Sequence, residues 1–241
     1  MLLLVTDTSG KNGTVALARA GERHLGDAQQ SDTRRLNAEQ TQADVIEVVP
    51  LVGGTFSAQL VPQIAVLLQK HGFSKTDIGA FVVVSGPGSF TGLRVGLAAI
   101  KALAEILRKP IVPVSLLETV ATASGVQGKV VAVLDGGRGE VFFGAYVICG
   151  ESVQVLREEL LSPAEFFSAA HEATVVTPDQ ALLAAARDAG LSVRAVEPPD
   201  AAMIARFGWK KLQAGETVSP EQLEANYMRR SDAEMFVKRS S

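Results

Sequence analysis

The sequence predicts an α/β protein of two similar lobes, and three observations carry that reading. Residues 2–6 and 81–84 are unbroken apolar runs, the pattern of strands buried on both faces. Leu60, Ile64, Leu67 and Leu68 keep helical spacing between those runs. An order of meander strands followed by helices and further strands occurs twice, first from the N-terminus and again from Gly128. The lobes divide as residues 1–112 and 113–241, with 28–54 read as an insertion or excursion.

The first strand ends at Asp7, where Thr8-Ser9-Gly10-Lys11-Asn12-Gly13 makes a turn and Asn12-Gly13 can take positive φ. Residues 14–19 and 23–27 supply two more short strands. Residues 28–54 begin polar and Gln-rich, turn apolar around 45–52, and show no firm period. A helix over 56–70 contains Pro62, which removes one backbone donor, and stops at Gly72. After the strand at 81–84 and a glycine loop, an apolar helix runs over 93–108 and leaves through Lys109-Pro110. A strand at 111–114 leads to Ser115-Leu116-Leu117-Glu118, a capping box for a helix ending at Ser124. In the second half, 129–134, 140–147 and 153–160 read as strands. Ser162-Pro163-Ala164-Glu165 is another capping box with Pro at the first helical position. A strand at 174–176 and helices at 179–189 and 201–214 complete the pattern.

Composition narrows the function. The 241 residues carry 23 Lys and Arg against 26 Asp and Glu, a net charge of −3, so no basic field draws phosphate backbones. Any nucleic-acid link should run through a partner. The single cysteine, Cys149, excludes an internal disulfide and reads as a small buried apolar side chain. His24, His71 and His171 are scattered and none forms H-x-x-x-H, which argues against a histidine zinc site. The apolar N-terminus reaches Asp7 too soon for a signal peptide, and no run approaches the ~18 residues of a membrane span. A cytoplasmic chain with no membrane partner is expected.

The segment after the 81–84 strand holds Gly86, Gly88 and Gly92, which permit positive φ and close backbone approach. Amides at the start of the following helix favour an anion. Yet a Walker A loop needs Lys after its last glycine, and here Leu93 and Arg94 follow Gly92. A G-x-G-x-x-G fingerprint fails too, because the last glycine comes one residue late. A packing turn, an anion contact and a partner-facing loop all stay open.

Gly86-Pro87-Gly88-Ser89-Phe90-Thr91-Gly92-Leu93-Arg94-Val95-Gly96 is very similar to the signature of the TsaB (YeaZ) family, a glycoprotease-like, peptidase M22-like group. Asp7-Thr8-Ser9 with Thr14-Val15-Ala16-Leu17 resembles that family's first hairpin. Asp135 with Arg138-Gly139-Glu140-Val141 resembles its central segment, and Tyr227-Met228-Arg229 its C-terminal Y-[LM]-R. The resemblance departs where the first long helix begins: the family often has His-[ST], and this chain has Gly54-Thr55-Phe56-Ser57. What it implies is a degenerate, two-lobed actin-like ATPase (ribonuclease H-like) fold. It further implies a non-catalytic scaffold in making N6-threonylcarbamoyladenosine at position 37 of tRNA. Its partners would be a TsaD-like catalytic subunit and a TsaE-like ATPase, with tRNA met indirectly through the complex and a homodimer formed when alone. No cofactor is implied for the chain itself; ATP and Mg²⁺ can act at the level of the complex.

On that resemblance Asp7, Ser9, Gly86, Gly88 and Ser89 are vestigial cofactor-binding positions. Phe90, Thr91, Gly92, Arg94, Arg138 and Glu140 are partner-binding ones. Plainer readings stand beside these. Asp7 and Asp135 are also common turn residues, and Arg138 with Glu140 can be a surface ion pair worth at most ~1 kcal/mol. Small residues at Gly96, Ala98, Ala99, Ala102 and Ala104 let another helix approach closely, and internal packing is favoured over an interface. The competing functions are an active actin-like ATPase or kinase using Asp7, Ser9 and the glycine loop, and a metallopeptidase.

Overall fold

β1 (Leu2–Asp7) is buried on both of its faces, which is why its apolar run is uninterrupted. It pairs antiparallel with β2 (Gly13–Gly21) and parallel with β4 (Ile78–Gly86). The computed structural model describes residues 1–21 and 42–228, so the strand expected at 23–27 lies outside the described residues, as does 28–41 of the expected excursion. The remainder of that stretch is a correction. Residues Gln42–Leu51 form a strand, β3, antiparallel to β2 at one end of the sheet. Its register shifts opposite Leu17 and Ala18, which face Glu47 and Val45 and leave Ile46 as a bulge. With β5 (Ile111–Ser115) the first sheet has the order β3-β2-β1-β4-β5.

α1 (Phe56–Lys70) carries Pro62 and ends as expected. Gly72 takes φ of 72° and the Phe73 amide bonds the Leu68 carbonyl at 2.9 Å, closing a Schellman motif. α2 (Phe90–Leu107) starts three residues before the expected Leu93. A second sheet follows α3 (Leu116–Ala123): β6 (Gly128–Gly137), β7 (Glu140–Cys149) and β8 (Ser152–Leu161) form its meander. α4 (Pro163–Ala169) has the capping box of Ser162 and Glu165, and α5 (Gln180–Asp188) is capped by Asp179. β9 (Thr174–Thr177) lies parallel to β6, and β10 (Val193–Ala195) parallel to β9. The order is β10-β9-β6-β7-β8. Read from its meander edge, that is 3-2-1-4-5, the same as the first sheet. The repeat that the sequence could only suggest is therefore present as topology, and it is the actin-like α/β plan.

The described residues form two compact units whose boundaries are not those expected from a cut at 112/113. The first holds 1–21, 42–83, Val95–Pro113 and Ala201–Leu223; the second holds Val84–Arg94, Val114–Asp200 and 224–228. α6 (Ala201–Gln213) belongs to the first because Ile204, Ala205 and Phe207 bury against it. Gly208 sits so close to Val82 that a Cβ would lie 2.4 Å from its Cγ1. In the second unit, Val131, Val133, Val141, Phe143 and Phe166 build the core on one sheet face. Leu117, Val130, Tyr146 and Ile148 build it on the other. Cys149 is exposed at the end of β7, not buried as expected, because the strand runs out into the turn at Gly150 there. Among the described residues, no helix is long and apolar enough to cross a membrane.

A candidate interaction site at the glycine loop

Asp7 ends β1 in the first unit and closes on its own turn. The Ser9 amide and hydroxyl both donate to its Oδ1, at 2.8 and 2.6 Å. Burial pushes the Asp7 carboxyl above its ordinary range, against the lowering effect of those two bonds. Thr8 beside it is buried under α2, where a Cβ on Gly96 would come 2.2 Å from the Thr8 Oγ1. The small residue at Gly96 thus serves close internal packing.

The glycine loop of the second unit is built by backbone demands. Gly86 takes φ of 139°, and a Cβ there would lie 2.7 Å from the carbonyl oxygen of Asn226. The Asn226 amide donates to the Ser85 carbonyl at 2.8 Å, so residues 224–228 cross the loop as a strap. Gly88 is exposed. Ser89 is the N-cap of α2: its hydroxyl accepts from the Gly92 amide at 3.2 Å and its carbonyl from Leu93 at 2.9 Å. That side chain, expected to hold a cofactor, is engaged in ending the helix. Thr91 is exposed and Gly92 buried.

Phe90 and Arg94 lie one turn apart on the same face of α2, and the structure adds a partner that spacing could not reveal. The Tyr227 ring stands 4.9 Å from that of Phe90. The Arg94 guanidinium lies 3.7 Å over the Phe90 ring, and its Nε donates to the Tyr227 hydroxyl at 3.2 Å. The rings are 36% and 41% exposed, so the cluster faces outward. Two stretches quoted separately for the family resemblance, the glycine loop and the C-terminal Tyr, are one site.

Under the strap is a polar network that the sequence reading missed. The Glu158 carboxylate accepts from Ser115 Oγ at 2.7 Å, from the Tyr146 hydroxyl and from the Asn226 side-chain amide. Tyr146 is fully buried; burial, with Glu158 beside it, pushes its hydroxyl far above the ordinary range. Gly144 gives that hydroxyl room, since a Cβ would meet it at 2.4 Å. The capping sequence at Ser115 was readable, but its bond to a strand 43 residues on was not.

Arg138 and Glu140 lie in the β6–β7 hairpin. Arg138 and Gly139 take φ of 58° and 77°, the two positive values of a tight turn. Asp135 accepts from the Gly137 amide at 2.8 Å, the turn role weighed for it. Among the described residues, no group of three His, Cys, Asp or Glu is placed to hold a metal ion.

Known proteins resemble this chain over most of its length. The family described as "TsaD: tRNA N6-adenosine threonylcarbamoyltransferase" matches residues 37–207. The "tRNA threonylcarbamoyladenosine biosynthesis protein TsaB" of Escherichia coli is 30% identical over 187 residues, covering 73% of this chain and 81% of that one. The protein of the same name from Bacillus subtilis is 36% identical over 104 residues, 42% of this chain and 45% of that one. The solved structure "YeaZ from Pseudomonas aeruginosa" shares the fold with a TM-score of 0.64 at 23% identity, over 93% of this chain and 100% of that one. The sequence signature, the repeated sheet topology and these likenesses agree, and the chain belongs to the TsaB (YeaZ) family.

Proposed function

We propose that this chain is a non-catalytic scaffold in the synthesis of N6-threonylcarbamoyladenosine on tRNA, binding and supporting a TsaD-like threonylcarbamoyltransferase. The observation that carries the reading is its 30% identity to a TsaB over 81% of that protein. The site geometry supports it: the glycine loop ends in an outward aromatic and arginine cluster, a composition typical of protein interfaces. A TsaE-like ATPase completes the assembly, and tRNA is met through the complex in the cytoplasm. The free chain pairs with a second copy and needs no cofactor of its own.

The test is reconstitution with the cognate TsaD-like and TsaE-like proteins, with modified nucleoside measured by mass spectrometry. Modification that depends on this chain is expected. If the chain neither binds the TsaD-like subunit nor changes the yield, the proposal fails. The partly buried Asp7 favours a second reading as an ATPase or kinase. Mg²⁺-dependent ATP turnover by the purified chain, lost in Asp7→Asn, would support that reading instead.

A further inference from the structure

The Arg94 side chain is fixed without being used up. Its π-face rests on Phe90, its Nε is taken by Tyr227, and among the described residues no acceptor engages its two terminal nitrogens. A guanidinium held this way presents two parallel donors in a preset plane, the match for a carboxylate or phosphate taken bidentately. The support beneath is rigid. Tyr227 follows Asn226, which is bonded to the Ser85 carbonyl and to Glu158, and Gly86 leaves the strap no slack. Ordering the donors beforehand lowers the entropy lost on binding.

We infer that Phe90, Arg94 and Tyr227 anchor a protein-docking surface, in which the Arg94 fork receives an Asp or Glu carboxylate and the two rings pack against apolar side chains around it. Charge selects a protein over RNA as the occupant. Bases can stack on exposed rings, but holding a polyanion needs a basic field, and this chain has net charge −3. One preset fork in an acidic chain suits a single carboxylate in an otherwise apolar contact. The identity of the partner as the TsaD-like subunit rests on the function proposed above.

The test measures affinity between the full-length chain and its cognate TsaD-like subunit by calorimetry, with Arg94→Lys, Arg94→Met and Tyr227→Phe. Melting curves confirm that each variant is folded. Arg94→Met should weaken binding about 30-fold, and Arg94→Lys about tenfold, because an ammonium cannot reproduce the fork. Tyr227→Phe keeps the ring and frees Nε, and should cost about threefold. If the wild type binds and both Arg94 variants bind equally well, the assignment is overturned while the proposed function stands. If Arg94→Lys alone is unaffected, the bidentate carboxylate is overturned in favour of diffuse charge. A wild type that does not bind the subunit overturns the proposed function and this assignment together. A single-stranded RNA oligonucleotide that binds the chain and is lost in the Arg94 variants, with subunit affinity unchanged, assigns the surface to nucleic acid instead.

Discussion

Replacing Gly86 by alanine loads two costs onto one position. A φ of 139° is glycine territory, and an L-residue held there costs about 1–3 kcal/mol. The new Cβ would also sit 2.7 Å from the Asn226 carbonyl oxygen and 3.2 Å from its Cβ, an overpacking worth about 1–3 kcal/mol more. The contact can be relieved only by lifting the strap. That gives up the Asn226–Ser85 bond, the bond from Asn226 to the Glu158 carboxylate and the Phe90–Tyr227 ring contact. Their combined worth is about 3–5 kcal/mol, so neither route is cheap. At about 2–4 °C per kcal/mol for a chain of this size, Tm should fall by about 4 °C or more. Gly125→Ala is the control, since Gly125 has φ of 66° and nothing within 4 Å of its would-be Cβ. It carries backbone strain alone, about 1–2 kcal/mol. Scanning calorimetry of both variants separates the contact from the dihedral. Limited proteolysis around 224–228 should also quicken in Gly86→Ala only. Equal Tm values for the two variants would refute the strap as a packed element.

Three further outcomes follow from the geometry. Tyr146→Phe removes a buried donor to the Glu158 carboxylate and should cost about 1.5–3 kcal/mol; a denaturant midpoint unchanged from wild type would contradict the network. Ser89→Ala removes the side-chain cap of α2 and should destabilise by about 1 kcal/mol in the same assay, whereas Ser89→Asp should hold wild-type stability. Asp7→Asn tests the burial of that carboxyl. The folded state raises its pKa above the ordinary 3.8, so ionised Asp7 weakens folding increasingly as pH rises through that window, and the effect then levels off. The Asn variant keeps an acceptor for Ser9 without the charge. Its Tm should exceed that of wild type at pH 7 and converge on it near pH 4; a lower Tm at pH 7 would sink the argument.

What could be read from the sequence tracks how completely each element is buried. β1 and β4 announce themselves because both sheet faces are covered there, which keeps their side chains uniformly apolar. β3 does not. Ile46 is a bulge, so the alternation before it is out of phase with that after it, and Pro50 argues against a strand unless the strand lies at a sheet edge, as it does. β10 has only three residues, too few to show a period. The first turn of α2 was hidden by Gly92, which reads as loop until Ser89 is seen to cap it. At the site, Phe90 and Arg94 were legible as an i, i+4 pair, but Tyr227 lies 133 residues from Arg94 and only the folded strap brings it there.

The repeated topology also bears on what the two conspicuous aspartates are for. Asp7 is the last residue of the first strand of one 3-2-1-4-5 sheet, and Asp135 lies two residues before the end of the first strand of the other. Each accepts a 2.8 Å bond from the amide two residues on, Ser9 in one case and Gly137 in the other. The same local device therefore occurs at the same topological position in both units. Asp is favoured there because its short carboxylate mimics a backbone acceptor and closes the turn into the next strand. That requirement accounts for both residues without a ligand. What distinguishes them is environment: Asp135 is exposed in a hairpin, while Asp7 is partly buried, with an adjacent Thr8 pressed under α2. A turn alone gains nothing from a desolvated carboxylate, since asparagine closes the same turn without charge. The melting behaviour of Asp7→Asn thus asks two questions at once. A gain in stability with tRNA modification intact in the reconstituted system leaves Asp7 as a turn residue. The same gain with modification lost means that the charge is kept, at a cost in stability, for something the complex does.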